Sequence, residues 1–80
     1  MAAIAREYRT VRQITGPLML VEGVEGVTYG ELTDIKFTDG DIRRGRVLEV
    51  SGDKALVQVF EGTSGLAPQD VKIKFLGKGL

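Results

Sequence analysis

The second half of this chain restates the first, and that constrains the fold more than any other feature. Residues 46–66, RVLEVSGDKALVQVFEGTSGL, hold two runs of β-forming residues, 46–51 and 55–60, around the polar turn Ser51-Gly52-Asp53-Lys54. Val, Leu and Phe suit a pleated, half-buried surface, and Gly beside Asp gives the turn its backbone freedom. The second run stops at Glu61-Gly62-Thr63-Ser64-Gly65, where two glycines turn the chain. The same unit occurs upstream. Val11-Arg12-Gln13-Ile14-Thr15-Gly16 and Val47-Leu48-Glu49-Val50-Ser51-Gly52 share V-x-x-(I/V)-(S/T)-G. Glu22-Gly23-Val24-Glu25-Gly26-Val27 and Glu61-Gly62-Thr63-Ser64-Gly65-Leu66 share E-G-x-x-G-aliphatic, and Ile35-Lys36-Phe37 returns as Ile73-Lys74-Phe75. The offsets are 36, 39 and 38 residues, a spread that short turns absorb. Short strands of similar make-up resemble one another anyway, but three matches in one order at nearly one offset favour a duplication. Each half would give three strands and neither could bury its apolar face alone.

The expected fold class is all-β: a small closed six-stranded β-barrel with a pseudo-two-fold internal repeat. The expected strands are 8–14, 18–21, 30–37, 46–51, 55–60 and 71–75, within one domain over 1–80. Residues 1–6 read as a leader and 77–80 as a flexible exit. Val11 and Ile14 lie at opposite parity, so the first strand needs a bulge or burial on both faces. Leu18-Met19-Leu20-Val21 is apolar throughout, which suits burial on both faces. Thr38-Asp39-Gly40-Asp41 carries the strongest hairpin signal, and Ala67-Pro68-Gln69-Asp70 reads as a turn or one helical turn. Along the last strand Val71, Ile73 and Phe75 point in while Lys72 and Lys74 point out, where they could guard an edge.

Composition removes most chemistry. There is no Cys and no His among the 80 residues, hence no disulfide, no thiolate metal site and no imidazole base. Thr63 and Ser64 therefore have no triad partner. A phosphate loop fails at Gly77-Lys78, because Gly79 follows where Ser or Thr is needed and Lys72 stands where the first Gly belongs. Gly23, Gly26 and Gly30 have the wrong spacing for a dinucleotide fingerprint and no strand–helix unit around them. Asp39 and Asp41 are the closest carboxylate pair, but an Asp-rich turn caps its own backbone. No catalytic, cofactor or metal residue is assigned. No apolar run reaches the length of a membrane span, and the start lacks a signal-peptide core.

Charge is segregated although it sums to zero. Residues 22–41 carry the acids Glu22, Glu25, Glu31, Asp34, Asp39 and Asp41 against Lys36 alone, while Arg6, Arg9 and Arg12 precede them and Arg43, Arg44 and Arg46 follow. A mixed, solvated surface explains this simply. Two faces of opposite sign, docking against neighbouring copies or a related partner, explain it more sharply. A second functional class is a small nucleic-acid-binding barrel with Arg43, Arg44 and Arg46 on phosphates. Zero net charge and the scarcity of outward aromatic rings count against it.

Three blocks point to a family: Tyr8-Arg9-Thr10 on to Ile14-Thr15-Gly16-Pro17-Leu18, then VEGVEGVTYGEL over 21–32, then RRGRVLEVSGDKALVQVFEGTSGL over 43–66. Together they closely resemble the N-terminal domain of the B (non-catalytic, regulatory) subunit of archaeal and vacuolar-type rotary ATPases, with residues 21–32 and Gly62 closer to B than to the related A subunit. The resemblance implies a six-stranded barrel standing beside A-subunit barrels in a crown ring that holds the hexamer together. It also implies a cytoplasmic peripheral sector, with no direct membrane contact and no nucleic acid. Nucleotide binding belongs to the family's next domain, so the resemblance assigns no nucleotide residues, no cofactor and no enzymatic activity to this chain; self-association is left open. The tail 75–80 and start 1–5 are less like the family, which suggests an excised or engineered domain.

Overall fold

The structure is a computed structural model and describes residues 6–8, 10–38, 40–61 and 67–79. It is all-β, apart from one 3₁₀ turn at Pro68–Asp70. The strands are β1 (Arg6–Tyr8), β2 (Val11–Thr15), β3 (Leu18–Val21), β4 (Glu31–Phe37), β5 (Ile42–Ser51), β6 (Lys54–Val59) and β7 (Val71–Gly79). All pairings are antiparallel, in the order β1-β7-β4-β5-β6-β3-β2. The first expected strand is thus two segments, β1 and β2, with Thr10 between them outside either strand. These two segments occupy opposite edges of the sheet although they adjoin in sequence. At no more than about 3.8 Å per residue, the link cannot span an open sheet. The sheet therefore curls until its edges approach, and β2 lies against β7 and the 3₁₀ turn. Among the described residues no ladder joins β2 to β1 or β7.

The register carries the repeat. In the β2–β3 hairpin Val11 faces Val21, Gln13 faces Leu20 and Thr15 faces Leu18, with a bulge between Val11 and Gln13. In the β5–β6 hairpin Val47 faces Val57, Glu49 faces Leu56 and Ser51 faces Lys54, with a bulge between Val47 and Glu49. A shift of 36 residues turns each pair of the first hairpin into one of the second, bulge included. The turn glycines agree as well, with φ of 58° at Gly16 and 59° at Gly52. In the β4–β7 ladder Ile35 faces Ile73, the pair that a 38-residue exchange maps onto itself. The second glycine loop, including Gly62 and Gly65, lies outside the described residues, so its match to Gly23 and Gly26 is not seen.

The bulge in β2 resolves the parity conflict of Val11 and Ile14. An extra residue at Arg12 lets Val11 be buried and Ile14 pack against the same core. Met19, Val21, Ile35, Val47, Ala55, Val57 and Ile73 are fully enclosed, with Val59 and Phe75 nearly so. In β3 only Met19 and Val21 reach this core, and Leu18 and Leu20 are half-buried on the outside. The apolar run therefore marks one buried face and one partly covered face, not two buried ones. Val71, Ile73 and Phe75 point in and Lys74 out, as the alternation requires. However, β7 is flanked by β1 and β4, so its lysines guard no edge. β7 also runs on to Gly79, past the expected exit at Gly77. β5 starts at Ile42, four residues ahead of the expected strand, and draws the arginine-rich segment into the sheet.

One close approach fixes a residue type. A Cβ on Gly45 would lie 2.7 Å from the Gln58 carbonyl oxygen, 2.9 Å from Thr33 Oγ1 and 3.1 Å from Ile35 Cδ1. Two neighbouring strands thus close over this position, and only glycine fits without moving backbone.

Candidate functional site

Among the described residues the inner surface is mostly aliphatic and aromatic, and the polar candidates stand on the outer faces and at the ends. At one end the loop between β3 and β4 folds over the barrel. The Glu22 amide donates to the Thr10 carbonyl (3.0 Å), the Val24 amide to the Asp53 carbonyl (2.9 Å) and the Gly30 amide to the Val47 carbonyl (2.9 Å). The Thr10 hydroxyl donates to the Glu22 carbonyl, and the Glu25 amide donates to the Tyr8 hydroxyl at 3.2 Å. Glu31, only 5% exposed, ties this loop to the last strand. Its Oε1 accepts from the Thr28 amide at 3.0 Å and its Oε2 from the Gly77 amide at 2.7 Å. A buried carboxylate with backbone donors on both oxygens is a structural clamp.

The arginines weighed for phosphate contact do not form one patch. Arg43 is on the inward phase of β5, beside Gly45 and Val47; its guanidinium lies 4.7 Å over the Phe37 ring and its Nε is 3.9 Å from Asp41. This matches the other half of the repeat, where Tyr8 meets Phe75 edge-on with centroids 5.6 Å apart. Arg44 points outward and pairs with Asp34, Nε to Oδ1 at 3.1 Å. Arg46, also outward and half-buried, faces Leu32 and Gln58. Strand alternation thus divides the three between two faces, and carboxylates stand beside two of them. The acids of 22–41 are divided as well: Glu31 is the buried clamp, Asp34 and Asp41 meet Arg44 and Arg43, and Glu22 pairs with Arg12 at 3.0 Å.

The outward phase of β7, β4 and β5 forms a second feature. By register Lys72 faces Lys36, which faces Ile42; in the next row Glu7 faces Lys74, Lys74 faces Asp34 and Asp34 faces Arg44. Beyond Arg44, whose carbonyl accepts from the Phe60 amide at 3.0 Å, lies Phe60 itself. Ile42 is 55% exposed and Phe60 50%. A groove of about 530 Å³ runs beside the lysine row, lined by Lys36, Phe37, Thr38, Gln69, Asp70 and Lys72 among others. Ile42 and Phe60 were not legible as surface features. The expected β5 strand starts at Arg46, which leaves Ile42 without a phase, and the expected strand 55–60 carries Phe60 as one more β-former. On the other side of the barrel, Leu18, Leu20 and Leu56 with Gln13 and Thr15 line a shallower groove of about 210 Å³.

Among the described residues no three carboxylates cluster to hold a metal ion. Asp41 is at the end of the β4–β5 hairpin, while Asp39, Thr63 and Ser64 lie outside the described residues. Among the described residues no helix is long and apolar enough to cross a membrane.

The duplicated, curled sheet agrees with a comparison of the sequence with known families. Residues 11–77 match the model of the ATP synthase alpha/beta family, beta-barrel domain. The chain belongs to the ATP synthase alpha/beta family. The matched residues run from the start of β2 into β7 and so include both hairpins, both bulges and the Ile35–Ile73 pair. For an ATP synthase alpha/beta barrel, the apolar interior is the informative feature, and the polar groups described above stand on the outer faces and at the ends.

Proposed function

We propose that this barrel is the N-terminal domain of the B, non-catalytic subunit of a vacuolar/archaeal-type rotary ATPase. In this reading it is an assembly domain. It stands between A-subunit barrels in the crown ring of the hexamer, in the cytoplasmic peripheral sector of a complex that couples ATP to proton or sodium transport. The barrel is closed along the β1–β2 break and has no catalytic activity of its own. The observation that carries this reading is the interior: among the described residues every fully enclosed side chain except Thr33 is apolar, which suits a packed solid and not a binding cup. The blocks over 21–32 and 43–66, which resemble the B subunit, support the finer assignment.

The test has two arms. Sedimentation of this chain with the companion A subunit should show a faster complex than either alone. Calorimetric titration of the chain with Mg–ATP should show no stoichiometric micromolar binding. ATP binding by this chain would overturn the non-catalytic reading, and failure to associate would overturn the assembly reading.

A further inference from the structure

We infer that the outer face of β7, β4 and β5, centred on Ile42, Arg44 and Phe60 and bordered by Lys36 and Lys72, is the surface this barrel presents to an acidic face of its neighbouring subunit. The inference rests on the assembly reading and adds which side of the barrel is used and what chemistry it meets. Three observations carry it.

The first is the lysine row. Lys36 and Lys72 are directly opposite on adjacent strands, and among the described residues neither has an ion pair. Like charges facing across a ladder destabilise a sheet. A carboxylate supplied from outside would turn this cost into an attraction.

The second is the balance of the whole face. The outward positions of β7, β4 and β5 hold Lys36, Lys72, Lys74, Arg44 and Arg46 against Asp34 and, past the β5 bulge, Glu49. Asp34 pairs with Arg44 and Glu49 stands at the far end of β5, so a positive surplus lies with Lys36, Lys72, Lys74 and Arg46. Asp70, on the groove wall next to Lys72, reduces that surplus without removing it.

The third is the apolar pair. Ile42 and Phe60 are both at least half exposed, Ile42 two residues along β5 from Arg44 and Phe60 across the ladder from it. Large apolar anchors around an arginine have the composition of a protein–protein hot spot. A nucleic-acid surface would instead need several outward rings in series, and Phe60 is alone here.

The test is calorimetric titration of the companion A subunit with this chain and three variants. Lys36→Glu and Lys54→Glu change net charge equally, but Lys54 is in the β5–β6 hairpin at the far end of β5. Lys36→Glu should weaken association about tenfold or more, as should Phe60→Ser, because truncated hot spots cost that much. Lys54→Glu should leave it within about twofold, as rim charges do. Lys36→Glu also replaces a like-charge pair with an opposite pair, so its melting temperature should not fall. Loss of binding without loss of fold then identifies the face. Equal effects of the two glutamates would show that only overall charge matters and would overturn the proposal while sparing the assembly reading. No association by the wild-type chain would overturn both. Tighter binding of a single-stranded RNA oligonucleotide than of the A subunit, lost in Lys36→Glu, would reassign the face to nucleic acid and overturn the proposal.

Discussion

Leu20 and Leu56 face each other across the β3–β6 ladder, and the 36-residue repeat exchanges one for the other. On the far side of the barrel Ile35 and Ile73 play the same part for the 38-residue exchange. A two-fold relating the halves therefore passes through both pairs. The exchange also preserves the strand order if β1 and β2 count as one broken strand. The halves differ most at that break. Tyr8 faces Ile73 as Arg43 faces Ile35, yet the chain from Tyr8 to Val11 is one residue shorter than that from Arg43 to Val47. The shorter link accompanies the parting of β1 from β2, where β5 runs unbroken.

Equivalent turns should respond equally. Gly16 and Gly52 both hold left-handed backbone, and neither would meet an atom within 4 Å on gaining a Cβ. The cost of Gly→Ala is then purely conformational, about 1–2 kcal/mol at each site. Urea unfolding of the two single variants and the double should give matching, additive losses.

Gly45→Ala should cost more than its strand position suggests, about 1–3 kcal/mol, because the new methyl must displace the Gln58 carbonyl. Its neighbour behaves oppositely. Thr33 Oγ1 is buried without a hydrogen-bond partner. Thr33→Val keeps the shape and removes the orphaned hydroxyl, so stability should hold or rise by about 1 kcal/mol. Thermal melts of both variants check the pair of signs.

Lys36→Glu should stabilise the isolated chain by about 0.2–1 kcal/mol, since it faces Lys72 and the substitution exchanges repulsion for attraction. The gain should shrink at high salt, where exposed charges are screened. Melting curves at low and high sodium chloride read both effects.

Removing the Glu31 clamp should loosen two distant segments at once. Glu31→Ala leaves the Thr28 and Gly77 amides without their carboxylate acceptor, a cost of about 1–3 kcal/mol. Hydrogen exchange should quicken at Thr28 and at Gly77 together while the β5–β6 ladder stays protected.

Much of the fold was written in local pattern. The turn at Gly52, the alternation of 71–75 and the bulge offered as one resolution of the Val11–Ile14 parity all follow from neighbours in sequence. What was hidden depends on which strands adjoin. Lys36 and Lys72 are each plainly outward, but nothing local says that they face each other. Arg43 and Arg44 read as one basic cluster until the start of β5 sets their phase and sends them to opposite faces. Glu31 looks like one acid among six, and only the return of β7 to Gly77 makes it a clamp. The surface proposed for assembly is thus a product of sheet order, which short-range signals do not encode.

The central claim is that this domain serves to hold a hexamer together. The most direct measurement is native mass spectrometry of the complex reconstituted from full-length A and B subunits, with the B subunit either intact or lacking this barrel. The account predicts hexamers from intact subunits, and mostly free subunits or small A–B species when the barrel is absent. Hexamers of undiminished abundance and salt resistance without the barrel would contradict it.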